Sequence, residues 1–208
     1  MAKDKNFERE LPSGYTKALY INAKDAKLGI ILNLVAVFVL AIVMLLAFCS
    51  LRWGGAGALD ISALNLGKLL PAYILGFASM TLYIILHELV HGAAYKIQTG
   101  EKLTFGISWS CAFCGVPRIY TYHRTAIIAV ASPLVIFTLI FIPLLAILYT
   151  TSTLYYIVFA FVFGIHLGGC SGDIYVLYLL LTKFRNKRTL MRDTGPEQSF
   201  FIPDSEND

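Results

Sequence analysis

Long uncharged runs alternate with short charged segments along the chain. Residues 28–51 form 24 positions without a charge, bounded by Lys27 and Arg52. Residues 69–86 are a second apolar run, and helix-forming composition continues to Tyr95. Residues 125–182 span 58 positions with one charge, Asp173, and the polar stretch 149–153 divides them. A hydrocarbon core takes about 20 helical residues. The pattern therefore predicts four transmembrane helices, near 29–50, 69–95, 125–149 and 154–182. Between the second and third, Leu103, Phe105, Ile107, Trp109 and Cys111 alternate with Lys102, Thr104, Gly106, Ser108 and Ser110. Period two is strand periodicity. With a turn at 114–117 and a second arm at 118–122, it predicts a short β-hairpin.

The expected fold class is thus an all-α polytopic membrane protein with one β-hairpin between helices 2 and 3. Its parts are an N-terminal segment 1–28, a four-helix transmembrane domain 29–183 and a tail 184–208. The stretch before Lys27 is read as an amphipathic surface segment, and 193–208 as a mobile polar end.

Composition supports this. Of 208 residues, 57% are hydrophobic and 14% charged, against roughly 25% charged in soluble domains. Mean hydropathy is +0.68. Disorder, a disulfide-stapled secreted fold and an ordinary soluble enzyme are excluded. A net charge of +4 is too small to argue for a nucleic-acid partner. The placement of charge is more informative. Fifteen Lys and Arg lie in the N-terminal segment, the second loop and the tail, against Arg52 and Lys68 in the first loop and none in the third. The positive-inside rule puts both termini in the cytoplasm of a multi-pass cell-membrane protein. The first helix, with its long charged leader and long apolar run, is not expected to be a cleaved signal peptide.

Ionisable residues inside a membrane are functional candidates by default. The predicted spans hold five: His87, Glu88, His91, His166 and Asp173. Three form the motif His87-Glu88-Leu89-Val90-His91. Two histidines four apart share a helix face and can reach one Zn2+. Glu88 beside them is placed as a general base that takes a proton from a zinc-activated water. The plainer alternative is a polar cluster that ties helices together. A catalytic zinc site needs a third protein ligand, and Asp173 is the candidate. Counted from the cytoplasmic helix ends, the two histidines lie about 10 Å deep and Asp173 about 15 Å.

His166 lies seven residues before Asp173 and so near the same helical face. It is read as a donor behind the metal or facing substrate, or as a buried structural histidine. Gly164, Gly168 and Gly172 form a small-residue stripe that lets this helix approach the second one closely. The exposed edge of the hairpin could hold an extended peptide, or the hairpin could be purely structural. Cys49, Cys111, Cys114 and Cys170 include one isolated CxxC, read as packing thiols with a metal or regulatory role left open. His123 is a spare ligand candidate.

These residues resemble the site-2-protease type of intramembrane zinc metalloprotease. They are closer still to a bacterial family of small zincin-like membrane peptidases of unknown function. The resemblance spans about residues 69–183. It implies His87, His91 and Asp173 as zinc ligands and Glu88 as catalytic base. Ala131-Ser132-Pro133 resembles a small-residue–proline element of that family. The site-2 pattern around the aspartate carries an asparagine, a proline and a following glycine, all missing here; Ile174 follows Asp173. His166 or Ser171 stands in as the oxyanion donor. The expected function is zinc-dependent endopeptidase action on a membrane-embedded or membrane-proximal protein or peptide. The rival readings are a metal or proton transporter and a non-catalytic membrane adaptor with a relic zinc site. Oligomeric state is not legible.

Overall fold

Aliphatic runs this long become helices in an apolar solvent, because a helix satisfies its own backbone groups. Three of them are long and apolar enough to cross a membrane: α1 (Ala26–Trp53), α2 (Leu66–Thr99) and α3 (His123–Thr151). The structure is a computed structural model that describes residues 6–54, 65–107 and 112–206. Side-chain caps start two of these helices. The Leu28 N–H donates to Asp25 Oδ1 at 2.9 Å, and the Lys68 N–H donates to Asn65 Oδ1 at 3.1 Å. Such caps satisfy N–H groups that the helix itself cannot. Large apolar side chains stay exposed along the spans, among them Leu34, Phe38, Ile74, Phe77, Leu139 and Ile140. Apolar surface on this scale suits lipid rather than water.

The fourth predicted helix is two. α4 (Thr153–Gly169) and α5 (Ser171–Leu181) are separated at Cys170 and count as a fourth span only if the pair is taken together. The break follows Gly168-Gly169, residues of low helix propensity,. It has a chemical consequence: Asp173 falls in the first turn of α5. The partial positive charge of a helix N-terminus favours a carboxylate there.

The all-α expectation is corrected by a β component. A five-stranded antiparallel sheet runs in the order β1 (Phe7–Glu8), β5 (Tyr120–Tyr122), β6 (Leu190–Asp193), β7 (Glu197–Pro203), β2 (Tyr15–Asn22). β2 pairs with β7 from Tyr15↔Pro203 to Asn22↔Glu197, with a register shift between Lys17 and Leu19. The N-terminal stretch thus contributes β1 and β2 to the sheet, and the tail is not a mobile end. Each supplies the backbone partner that the other lacks.

A hairpin does follow α2, but with different arms. β3 (Thr104–Ile107) pairs with β4 (Ala112–Gly115), while the expected second arm, as β5, joins the larger sheet. Cys114 and Gly115 are strand residues, not the turn. The Trp109, Ser110 and Cys111 positions lie outside the described residues.

The chain divides into two compact units. One comprises Met1–Ile31, Leu86–Pro133 and Gly172–Asp208; the other comprises Leu32–Ile85 and Leu134–Ser171. In the first, one face of the sheet packs on α3 and α5. Its core is Ile21, Ala126, Val130, Val176, Leu179, Leu180, Phe184, Met191 and Phe200. The Phe184 and Phe200 rings stack with centroids 4.7 Å apart.

In the second unit, the glycine stripe of α4 faces α1 rather than α2, contrary to expectation. A Cβ at Gly168 would lie 2.7 Å from the Ala36 carbonyl oxygen and 3.0 Å from the Ala36 Cα. A methyl group there meets backbone that cannot rotate away. Gly168→Ala is therefore expected to cost about 1–3 kcal/mol by overpacking. A thermal scan of the detergent-solubilised protein checks this, and an unchanged Tm would show that α1 and α4 do not press together at this point.

Candidate metal centre

α2 turns its two motif histidines the same way because they are four residues apart. Their rings lie edge to face with centroids 4.9 Å apart, and each residue is only 8% exposed. The Asp173 carboxylate meets both. Its Oδ2 is 3.2 Å from His87 Nε2 and 3.4 Å from His91 Nε2. One donor atom from each of the three residues falls within 4.8 Å of the others. Two ligands of a tetrahedral zinc, each about 2.0 Å from the ion, would stand roughly 3.3 Å apart. The spacing fits that ion.

The tautomer of His91 strengthens the fit. Its Nδ1 lies 2.8 Å from the Ala129 carbonyl oxygen. A carbonyl can only accept, so Nδ1 carries the proton. In the neutral ring, Nε2 is then a bare lone pair aimed at a carboxylate oxygen. Two acceptors at 3.4 Å repel unless a proton or a cation lies between them. A backbone carbonyl holding the far nitrogen is the usual way to orient a metal-binding imidazole.

Why the Ala129 carbonyl is available can be read from the chain. In an α-helix it would accept from the N–H of residue 133. Residue 133 is proline and has no N–H,. The carbonyl of Ala129 is freed inside α3 and taken by His91. The neighbouring Ile128 carbonyl is taken by the Ser132 hydroxyl. The Ala131-Ser132-Pro133 element thus acquires a physical role: it opens the helix ladder where the imidazole needs an acceptor.

Glu88 is half-buried next to His87. The backbone amide of Cys114, on β4, lies near its carboxylate. The hairpin therefore lies beside the candidate base. Burial pushes the Cys114 thiol up to about 12, and the nearby Asp193 and Glu88 carboxylates push the same way. The thiol stays protonated at neutral pH and is buried. Cys111 lies outside the described residues.

The other candidates have hydrogen-bond partners of their own. His166 is fully buried, with Nδ1 3.1 Å from the Tyr83 hydroxyl and Nε2 3.1 Å from the Thr138 hydroxyl. The rings of Tyr83, Phe137, Phe141 and Phe163 surround it. Those surroundings suit a structural histidine. Ser171 donates its hydroxyl to the Leu32 carbonyl at 3.3 Å. His123 faces the Leu180 carbonyl at 2.9 Å.

Two residues escaped the sequence reading. Tyr95 follows His91 by four positions and continues the same helix face. Its hydroxyl donates to Asp193 Oδ2 at 2.7 Å, and the pair is buried. The spacing His87, His91, Tyr95 could have flagged the tyrosine; nothing local flags the aspartate. Burial is the largest influence on Asp193 and lifts its carboxyl to about 6, against the opposing hydrogen bonds from Tyr95 and the Gly195 N–H.

Residues 80–187, slightly more than half of the chain, match the model of a family described as "Putative zincin peptidase". No curated protein and no solved structure matches the chain.

Two predictions come from this geometry. Pro133→Ala restores an N–H that competes for the Ala129 carbonyl. Zinc affinity is expected to fall roughly tenfold, the lower range for loss of an orienting partner; competition with a chromogenic chelator measures it. Asp193 predicts a pH effect. Its folded pKa lies above the unfolded one, so between about 4 and 6 the native state holds the proton that the unfolded state has lost. Stability from this group falls as pH rises through that window. Asp193→Asn is expected to remove this slope from the dependence of Tm on pH, and an unaltered slope would count against it.

Proposed function

Since the chain belongs to this zincin-type peptidase family, we propose that it is a zinc-dependent endopeptidase of site-2-protease-like type, cleaving proteins or peptides within or beside the membrane. The observation that carries this reading is the meeting of His87, His91 and Asp173 donor atoms next to the Glu88 carboxylate. His87, His91 and Asp173 would hold the metal. Bound zinc supplies Lewis acidity that acidifies water and polarises a carbonyl.

The chain's own groups do the rest. Glu88, beside the Cys114 amide, accepts a proton from the attacking water and returns it to the departing amine. His91 keeps its Nδ1 proton on the Ala129 carbonyl, so Nε2 stays available. β3 has no strand partner other than β4 among the described residues, and it carries the exposed Phe105 and Ile107. An extended substrate can add along such an edge through main-chain hydrogen bonds. Extension matters because a helical substrate shields its own peptide groups.

The membrane topology of this reading has support independent of charge. β1 and β2 precede α1, β5 lies between α2 and α3, and β6 and β7 follow α5. One sheet holds all five, so these three segments share one side of the bilayer. The chain must cross back after α3, which requires α4 and α5 together to act as a span. The basic residues assign the shared side to the cytoplasm. Residues 1–28 and 184–208 then belong to a cytoplasmic face, and water reaches the site from there. Partners in this reading are the bilayer and a membrane protein or peptide, without nucleic acid.

Two variants test it, using peptides that contain a transmembrane segment and product detection by mass spectrometry. Glu88→Ala is expected to keep zinc near one equivalent and lose cleavage by about 100-fold or more. Wild-type turnover would refute the base. Asp173→Ala is expected to lower zinc occupancy. A full equivalent of zinc in that variant would take the aspartate out of the ligand set.

A further inference from the structure

We infer that the Asp193–Thr194–Gly195 turn of the C-terminal tail is a positioning device for Glu88. It braces both the helix that carries Glu88 and the strand whose amide lies beside its carboxylate. This rests on the reading of Glu88 as the base. The turn lies outside residues 80–187, the part that matches the family model.

Three contacts make the brace. First, Asp193 Oδ2 accepts from the Tyr95 hydroxyl at 2.7 Å, one helical turn after His91. Second, the Asp193 main-chain carbonyl accepts from the Val116 N–H at 2.8 Å, immediately after β4. Third, Gly115 and Gly195 meet backbone to backbone, and Gly195 lies against the Phe113 ring with no room for a Cβ on either glycine. Gly195 also has φ +104°, which side-chain-bearing residues rarely adopt,. The Gly195 N–H closes the turn on Asp193 Oδ1 at 2.9 Å.

Asp193, Tyr95, Cys114 and Val116 are all buried. The turn thus grips α2 on one side and Phe113–Val116 on the other, and the Cys114 amide near Glu88 lies inside the gripped segment. A general base depends on placement at the ångström level, and a small displacement can cost on the order of 100-fold in rate. Asp193 touches neither the reacting atoms nor the ligands; it acts through Tyr95 and β4.

The test uses the full-length protein in detergent, loaded with Co2+, whose visible absorption reports the surroundings of the ion. Asp193→Ala and Asp193→Asn are made in the wild type and in Glu88→Ala. Asp193→Ala is expected to keep one Co2+, shift the visible band and lower kcat roughly 10- to 100-fold with KM within about twofold. Asparagine can still accept from the Gly195 N–H and bond to the Tyr95 hydroxyl. It is expected to restore the band and bring kcat back to within about threefold. In the Glu88→Ala background, Asp193→Ala is expected to leave the band where Glu88→Ala put it.

A wild-type band and kcat in Asp193→Ala would overturn the inference. An equal band shift in the Glu88→Ala background would too, since the effect would then bypass Glu88. Tyr95→Phe removes a single hydroxyl from the brace and serves if Asp193→Ala does not fold. A smaller shift of the same sign supports the brace, and an unchanged band opposes it. Wild-type protein that binds no Co2+ would defeat the metal reading and this inference with it. Protein that binds Co2+ but cleaves nothing would defeat the peptidase reading alone, and the spectra would still decide the brace.

Discussion

Two imidazole nitrogens close on one carboxylate oxygen, at 3.2 and 3.4 Å, and for one imidazole a ring proton is already committed elsewhere. His91 has its Nδ1 proton on the Ala129 carbonyl. Its other nitrogen faces Asp173, where two lone pairs confront each other. In a setting of low dielectric such a pair is costly without positive charge between its members. A proton or a cation supplies that charge, and the donor set suits a divalent ion. The other features of the site orient these three groups or place Glu88 beside them.

The orientation is achieved by interruptions of regular structure. Pro133 withholds one N–H from α3, and the carbonyl released becomes the acceptor that fixes His91. The glycine pair before Cys170 ends α4, and the new helix begins with Asp173 in its first turn. Within a membrane, a freed backbone group is tolerated only where another group takes it up. Here the groups that take it up belong to the site. Local departures from ideal helix are expected where function is built.

Much of this could be read from the residues in order. The helices follow from uncharged runs, and the candidate ligands stand out because ionisable side chains are scarce in them. The spacing of His87 and His91 places them on one helix face without further information. The β component is hidden in the sequence for a definite reason. Tyr15–Asn22 and Glu197–Pro203 are short and mixed in polarity, and each looks like a terminal extension by itself. Their alternation acquires meaning only when they pair with each other across most of the chain. Cys-Gly-Val-Pro resembles a turn, which hides Ala112–Gly115 as the second arm of the hairpin. Gly115 is glycine for a different reason: it must approach Gly195 closely.

By itself, the sequence determined the solvent, the helical spans, the two-histidine face and the neighbouring carboxylate, since these depend on composition and on helix periodicity. Only the tertiary structure decided that Asp173 reaches both imidazoles, that a proline four residues on releases the carbonyl holding His91, and that the tail reaches Tyr95 and β4. The physical reason is that hydrogen bonds and charge pairs between distant segments depend on register and approach. Periodicity within one segment carries no information about which other segment will supply the partner.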